Sequence, residues 1–221
     1  MKRIIRENGL SLVLLVLFMT TWIFGQAFTG HRESNKERAG HGLPGESLQE
    51  YLTSAHFLEA TSENWESEFL QMGVYVALTI FLFQKGSSES KSLDRPEPVD
   101  RDPRLAPKRA DSPWPVRHGG WVLTIYQHSL TLAFFLLFLG AFSIHVVSGC
   151  ANYNEEQALH GQPAVSCSEY LGSSRFWFES LQNWQSEFLA IFCMVVLSIF
   201  LRQRGSPESK PVDAPHSETG E

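Results

Sequence analysis

The stretch ENWESEFLQ at residues 63–71 decides the fold, because QNWQSEFLA at residues 182–190 repeats its pattern 119 residues later. Each copy precedes an apolar run. Matches at the same offset extend over much of the chain, which indicates two copies of one unit. The further matching patterns are Asn-x-Glu-x-Ala-x-His-Gly-x-Pro at 35–44 and 154–163, Ser-x-x-Glu-Tyr-Leu at 47–52 and 166–171, and Gly-Ser-x-Glu-Ser-Lys at 86–91 and 205–210.

The first apolar runs of the two copies match at a slightly different offset. Leu10 and Leu17 pair with Leu130 and Leu137, which is an offset of 120. One residue has therefore been gained or lost near residues 25–34.

Four apolar segments predict membrane helices. Residues 10–28 and 130–147 are dense in Leu, Val and Phe, and each is close to the ~20 residues that a helix needs to cross a bilayer. The apolar runs after the repeated motif are shorter, so they must include upstream residues, where Trp65 and Trp184 suit the membrane interface. A cleaved signal peptide is the alternative for the first segment, but the counterpart of that segment lies inside the chain. The predicted spans are 9–29, 66–84, 124–147 and 185–202.

Two predicted spans per copy bring both copies into the membrane from the same side, as parallel repeats. We therefore predict an all-α membrane protein with four transmembrane helices, arranged as two parallel helical-hairpin repeats. Between the repeats and after the second one, Pro alternates with charged residues, and we expect disorder there. The predicted boundaries are 1–91 for repeat 1, 92–120 for the cytoplasmic linker, 121–210 for repeat 2 and 211–221 for the tail.

Positive charges are unevenly distributed along the chain. Three Lys or Arg residues precede the first span, eight lie between Lys85 and Arg117, three follow the last span, and four lie in the two remaining loops. Cytoplasmic segments of membrane proteins carry the excess of Lys and Arg. We therefore expect both termini and the linker on the cytoplasmic side.

The loops on the other side carry signals for helix ends. The run His41-Gly42-x-Pro fits a short helix over residues 34–41 that ends at a left-handed glycine, and residues 160–163 repeat the arrangement. A second short helix should follow in each copy. Its capping box would pair Ser47 with Glu50, and Ser166 with Glu169.

The same histidines also suggest a metal site. If a pseudo-twofold axis brings His41 and His160 together, the two imidazoles and the carboxylates of Glu37 and Glu156 could bind a transition metal. Helix capping already explains the His-Gly-x-Pro pattern. Both interpretations stay open.

A pair of glutamates in the repeated motif is the candidate polar site of the membrane. Glu68 and Glu187 lie at or within the apolar layer, where an ionisable side chain is costly and needs a partner inside the protein. Asn64 and Asn183 precede them by one helical turn on the same face, and His145 is a candidate partner of Glu187. Two interpretations remain: a symmetric proton or cation site between the repeats, or helix-to-helix hydrogen bonds that stabilise the fold.

The cysteines suggest one cross-link. Cys150 and Cys167 lie in the same outer loop and are candidates for a disulfide in an oxidising compartment, whereas the first copy has Gly30 and Leu48 at the places paired with them. Cys193 lies in the last predicted span and is expected to be a small packing residue.

Catalytic motifs are absent from the sequence. It contains no glycine-rich phosphate loop, no His-Glu-x-x-His and no Gly-x-Ser-x-Gly, so we expect no catalytic residues and no cofactor. His56, Glu59 and Glu63 could share a helical face, but the second copy has Arg, Phe and Gln at the matching positions. A site present in one copy stays open.

Several of these motifs together resemble one protein family. RENGLSLVLLVLF at residues 6–18, the His-Gly-x-Pro element, EYL, NWxSEFL and GSSESK at residues 86–91 resemble an uncharacterised bacterial integral-membrane family, a domain of unknown function. The resemblance covers the chain apart from the linker and the tail. It implies a bacterial cytoplasmic-membrane protein and implies no activity.

These observations favour a non-enzymatic membrane protein, a component or scaffold of the cell envelope. The first alternative is a small transporter or channel that uses Glu68 and Glu187. The second is a membrane enzyme or metal-binding protein that uses His41 and His160. We expect the lipid bilayer as a partner and no nucleic acid. A transporter would be a homo-oligomer, because four spans leave little room for an internal pathway.

Overall fold

A computed structural model describes residues 2–107 and 109–220, with side chains from Ile5 onward. The described residues form helices, turns and coil, without a strand, which confirms the all-helical prediction. The helices are, in chain order, α1 (Lys2–Glu7), α2 (Gly9–Met19), a π-helix (Thr20–Ala27), α3 (Phe28–Gly40), α4 (Leu48–Tyr51), α5 (Ala55–Leu78), a 3-10 helix (Pro98–Asp100), α6 (Trp114–His118), α7 (Gly120–Gln127), α8 (Ser129–Leu159), α9 (Cys167–Leu171) and α10 (Ser174–Phe200).

Three helical segments of the described chain are long and apolar enough to cross a membrane. They are Gly9–Gly40, which runs without interruption through α2, the π-helix and α3, together with Ser129–Leu159 and Ser174–Phe200. Their lengths of 27 to 32 residues exceed the ~20 residues that a bilayer requires. The chain therefore has the helices of a membrane protein.

The prediction of four spans is wrong for the described residues, because α5 does not qualify. The predicted span 66–84 is helical only as far as Leu78, and the chain beyond that residue forms turns, in which the N–H groups of Ile80 and Phe81 bond three residues back. Upstream of the apolar part, α5 carries Glu63, Glu66 and Glu68. The prediction assumed that an interfacial tryptophan upstream would extend the short apolar run. The carboxylates and the early helix end instead leave α5 without a long enough apolar stretch.

The spans also extend further outward than the hydropathy pattern predicts. The short helix predicted over residues 34–41 is not separate: α3 continues from the first span to Gly40, and α8 continues to Leu159. The glycines after them, Gly42 and Gly161, have φ angles of 71° and 65°, so the predicted left-handed ends are confirmed.

The π-helix explains the change of offset between the two copies. Between Leu17 and His41 the chain has one residue more than between Leu137 and His160. A π-helical segment accommodates an extra residue within an α-helix. Thr20–Ala27 is such a segment, and it overlaps the interval in which the sequence placed the gained or lost residue.

The described chain divides into two compact units. One unit holds the residues up to Glu63 together with Phe142–Trp177, and the other holds Asn64–Ala141 together with the residues from Phe178 onward. They are called the outer and the inner unit, after the predicted topology of the loops that they contain. Both contain parts of both sequence copies.

The outer unit has two small aromatic cores at matching positions. Tyr51 and Tyr170 are each 1% exposed, and each packs on the phenylalanine six residues after it. Each tyrosine hydroxyl lies against a glycine, Gly30 or Gly149, where a Cβ atom would collide with it. The close approach of ring and helix backbone therefore requires glycine.

Side chains also tie the loops of the outer unit to its helices in the same way in both copies. The amide of Asn35 binds the backbone N–H and carbonyl of Glu46 at 2.7 and 3.0 Å, and Asn154 does the same with Val165 at 2.8 and 2.9 Å. Both predicted capping boxes, at the starts of α4 and α9, are confirmed. The outer loops are folded.

In the inner unit, the two Gly-Ser-x-Glu-Ser-Lys segments form matching turns. The hydroxyl of Ser90 accepts a 2.9 Å hydrogen bond from the backbone N–H of Gln84, and Ser209 accepts one of the same length from Gln203. The segments thus fold back on the chain that follows α5 and α10. The disorder expected for the linker and the tail stays a prediction.

Candidate functional site

The two copies of the repeated motif contact each other within the inner unit. Glu66, at the variable position of the first motif, is fully buried and accepts a 3.4 Å hydrogen bond from the indole N–H of Trp184 in the second motif. Gln71 donates from its side chain to the backbone carbonyl of Glu187 at 3.0 Å. These contacts join α5 to α10.

The predicted glutamate pair lies at the same place. Glu68 is exposed, Glu187 is half-buried, and the charge of Glu68 acts on the carboxyl of Glu187. Gln71, one turn after Glu68 on α5, touches the backbone of Glu187. Two neighbouring carboxylates repel each other unless they share a proton or a cation. The two residues therefore lie near enough for the charge of Glu68 to affect the carboxyl of Glu187.

The other residues predicted for this site have different surroundings. Asn183 donates to the carbonyl of Glu179 on its own helix at 3.3 Å, and Asn64 is exposed on α5. His145 belongs to the outer unit, where it is fully buried and stacks on Phe176 with ring centres 4.8 Å apart. The pairing of His145 with Glu187 stays a prediction.

A buried carboxylate in the outer unit was not among the predicted site residues. Glu59 is only 7% exposed, and its two oxygens accept hydrogen bonds from Asn152 at 2.6 Å and from the Tyr170 hydroxyl at 3.2 Å. A nitrogen of His145 lies within 4.8 Å of a Glu59 oxygen. The face shared by His56 and Glu59 was the available signal, and it was set aside because the second copy lacks it.

An acidic cavity opens in the outer unit, between the outward ends of α3 and α8. Its volume is about 300 Å³. The wall includes Asn152, whose side chain donates a hydrogen bond to the buried Glu59. Its ionisable lining residues are Glu37, Arg38, His41, Glu46, His56, Glu155 and Glu156.

The two predicted loop histidines lie side by side next to this cavity. The ring centres of His41 and His160 are 6.3 Å apart in an edge-to-face arrangement. Glu37 lines the cavity with His41. Glu156 lines it too, but its carboxylate forms two hydrogen bonds, of 2.6 and 2.9 Å, with the guanidinium of Arg175. Of the four proposed ligands, Glu156 is therefore engaged in an ion pair, and the ligand atoms of His41, His160 and Glu37 do not all lie within 4.8 Å of one another in this conformation.

A disulfide joins the outward end of α8 to α9. It connects Cys150 with Cys167, whose Cα atoms are 5.3 Å apart. Cys193, in α10, is a free thiol. The Asn154 side chain contacts the sulfur of Cys150, as Asn35 contacts the ring of His31, so His31 and not Gly30 is the structural counterpart of Cys150.

The exposed capping boxes lower the pKa values of two outer-loop carboxyl groups. Hydrogen bonds from the backbone and the hydroxyl of Ser47 lower the pKa of Glu50 below 4.5. The hydroxyl and the backbone of Ser166 lower the pKa of Glu169 in the same way. Both carboxylates are held ionised by the helix start that they cap.

Comparison with known proteins places the whole chain in one family. Searches of curated proteins and of solved structures find no significant match. The model of one family matches residues 1–221. This chain belongs to the family described as a domain of unknown function, DUF6766.

Proposed function

We propose that this chain is a non-enzymatic membrane protein that binds and moves protons or small cations through the glutamate pair of its repeated motif. The observation that carries the proposal is the contact between α5 and α10 at this level, where Gln71, three residues after Glu68, donates a 3.0 Å hydrogen bond to the backbone carbonyl of Glu187. Carboxylates beside apolar helices are costly and mark ion or proton sites in membrane proteins. A shared proton or a bound cation would remove the repulsion between them.

The contacts around the pair keep it assembled. The indole of Trp184 holds Glu66, and Gln71 holds the backbone of Glu187, so the two helices cannot separate without losing both hydrogen bonds. Buried carboxylates without such donors would be costly. A purely structural role for the motif, as part of an envelope scaffold, is the competing reading of these contacts.

Duplication of one unit is part of the proposal, with Glu68 and Glu187 as equivalent residues of the two copies. It is supported by the 119-residue offset and by matching contacts in the two copies: the asparagine bridges to the loops, the capping boxes and the tyrosines against glycine. A pseudo-twofold arrangement would place equivalent carboxylates next to the same axis.

We place the chain in the cytoplasmic membrane of a bacterium, in contact with lipid and assembled as a homo-oligomer. The excess of Lys and Arg near both termini and in the linker supports cytoplasmic termini. Reporter fusions at each end test this orientation. Reporters on opposite sides, as three crossings alone would require, would overturn it.

The experiment replaces Glu68 and Glu187 together with Gln and measures folded yield in membranes and proton or cation flux into proteoliposomes. We expect normal yield with altered flux. A matched control, Glu33→Gln with Glu155→Gln, removes the same number of charges from exposed outer positions and should leave flux unchanged. Reduced yield, or unchanged flux, would refute transport and favour a structural lock.

A further inference from the structure

We propose that the outer unit binds a divalent transition-metal ion of the Zn²⁺ class through His41, His160 and Glu37. The site lies at the mouth of the acidic cavity and is separate from the glutamate pair of the repeated motif.

The spacing of the two imidazoles fits a shared ion. A zinc–nitrogen bond is about 2.0 Å, so a ligating ring has its centre roughly 3 Å from the metal, and two such rings lie roughly 5–6 Å apart. The centres of His41 and His160 are 6.3 Å apart. Both side chains are exposed at the ends of α3 and α8, so they can turn towards one ion without disturbing the core.

One of the histidines is already held in a ligand-competent orientation. Nδ1 of His160 lies 2.8 Å from the backbone carbonyl of Glu156. An N–H at Nδ1 donates to that carbonyl, which leaves the lone pair on Nε2. Metal-binding histidines are commonly oriented in this way by a hydrogen bond from the other ring nitrogen.

The two glutamates at matching positions, Glu37 and Glu156, have different surroundings, so the proposed ligand set is not symmetric. Glu37 precedes His41 by four residues and shares the cavity wall with it, so one helical turn supplies an oxygen and a nitrogen. Glu156 has the same spacing to His160, but Arg175 holds both of its oxygens. The ligand set is two imidazoles and one carboxylate, and a water molecule would complete four-coordination.

Three protein ligands and open access suit an ion that exchanges. The cavity beside the site contains further carboxylates, including Glu46 and Glu155, and its acidic lining raises the local concentration of cations. We therefore expect reversible binding, without a role of the metal in folding.

The test uses the full chain in detergent, purified without a polyhistidine tag, stripped with chelator and titrated with Zn²⁺ by calorimetry. We expect one ion per chain. His41→Ala and His160→Ala should each weaken binding at least tenfold, and Glu37→Gln should weaken it about tenfold, or about 1.4 kcal/mol. Co²⁺ titration should give a visible absorption band that both histidine variants lose.

Two controls separate this site from other sources of binding. Glu156→Gln should leave the affinity unchanged because that carboxylate is paired with Arg175, and so should His128→Ala, which removes an exposed histidine elsewhere. Wild-type protein that binds no Zn²⁺, or a His41→Ala/His160→Ala variant that still binds one ion, would overturn the proposal. Loss of affinity in Glu156→Gln would overturn the three-ligand set. Because the Glu68 and Glu187 variants should bind Zn²⁺ normally, this test and the flux test can fail independently.

Discussion

Two tyrosines at matching positions allow the charge state of buried Glu59 to be measured as a stability difference. Tyr51 and Tyr170 are equally buried, at 1% exposure, and each hydroxyl makes a 3.2 Å contact. The contact of Tyr51 is with Nδ1 of His56, and that of Tyr170 is with an oxygen of Glu59. Replacing each tyrosine with Phe therefore removes one hydroxyl from an equally buried ring, and the two hydroxyls have different partners.

The expected costs differ because hydrogen bonds to charged groups are stronger. A bond to an ionised partner contributes about 1.5–3 kcal/mol, and a bond between neutral groups about 0.5–1.5 kcal/mol. Both oxygens of Glu59 accept hydrogen bonds, as an ionised carboxylate does. Tyr170→Phe should therefore lower the free energy of unfolding by about 1 kcal/mol more than Tyr51→Phe.

Unfolding of the two variants in mixed detergent micelles, followed by far-UV circular dichroism, measures the difference. A gap of about 1 kcal/mol corresponds to roughly a fivefold change in the folding equilibrium. Asn152→Ala provides an independent check, since it removes the other donor to Glu59. Equal costs for the two tyrosine variants, or a larger cost for Tyr51→Phe, would mean that Glu59 is neutral and would refute the reasoning.

Two further predictions concern the outer loops. Replacing Cys150 and Cys167 with Ser should lower the free energy of unfolding by about 3 kcal/mol, because the bridge closes a loop with a sequence separation of 17. In the denatured, unreduced wild type, a thiol reagent should label one of the three cysteines. Labelling of all three would contradict the bridge. Glu50 and Glu169 have pKa values lowered by their capping boxes, so their contribution to stability is complete above the ordinary value of 4.5 and is lost as the pH falls through the lowered values. When both residues are replaced with Gln, the free energy of unfolding should fall less steeply as the pH is lowered below 4.5. The same pH dependence in the variant and the wild type would contradict this role.

The features that depend on a few neighbouring residues were predictable from the sequence. A capping box is closed by Ser47 and Glu50 alone, and the left-handed Gly42 follows from the residues on either side of it. Two of the three helices that are long enough to cross a membrane followed from hydropathy alone, whereas the prediction of α10, like that of α5, added upstream interfacial residues to a short apolar run. The prediction for α5 failed because it assumed that interfacial residues upstream would lengthen a short apolar run into a full span. The sequence alone does not show whether they do.

The choice of the buried glutamate shows a second limit. Glu68 was selected because Glu187 matches it, whereas Glu66 has Gln185 in the other copy. Residues two apart on a helix point in nearly opposite directions. The structure turns Glu66 into the protein and leaves Glu68 exposed. Helix rotation depends on packing between α5 and α10, which the repeat does not encode.

Residues that differ between the two copies include a buried acid that a comparison of matching positions does not find. Glu59 is a buried acid where the second copy has the exposed Phe178, so only one half supplies the carboxylate that Asn152 and Tyr170 hold. A search for residues present in both copies finds what builds the common frame, such as the capping boxes and the tyrosines against glycine. A residue that is present in only one copy is not found in this way. Matched positions therefore locate the common frame and symmetric candidates such as Glu68 and Glu187, whereas unmatched buried polar residues such as Glu59 are the first places to look for a one-sided binding centre.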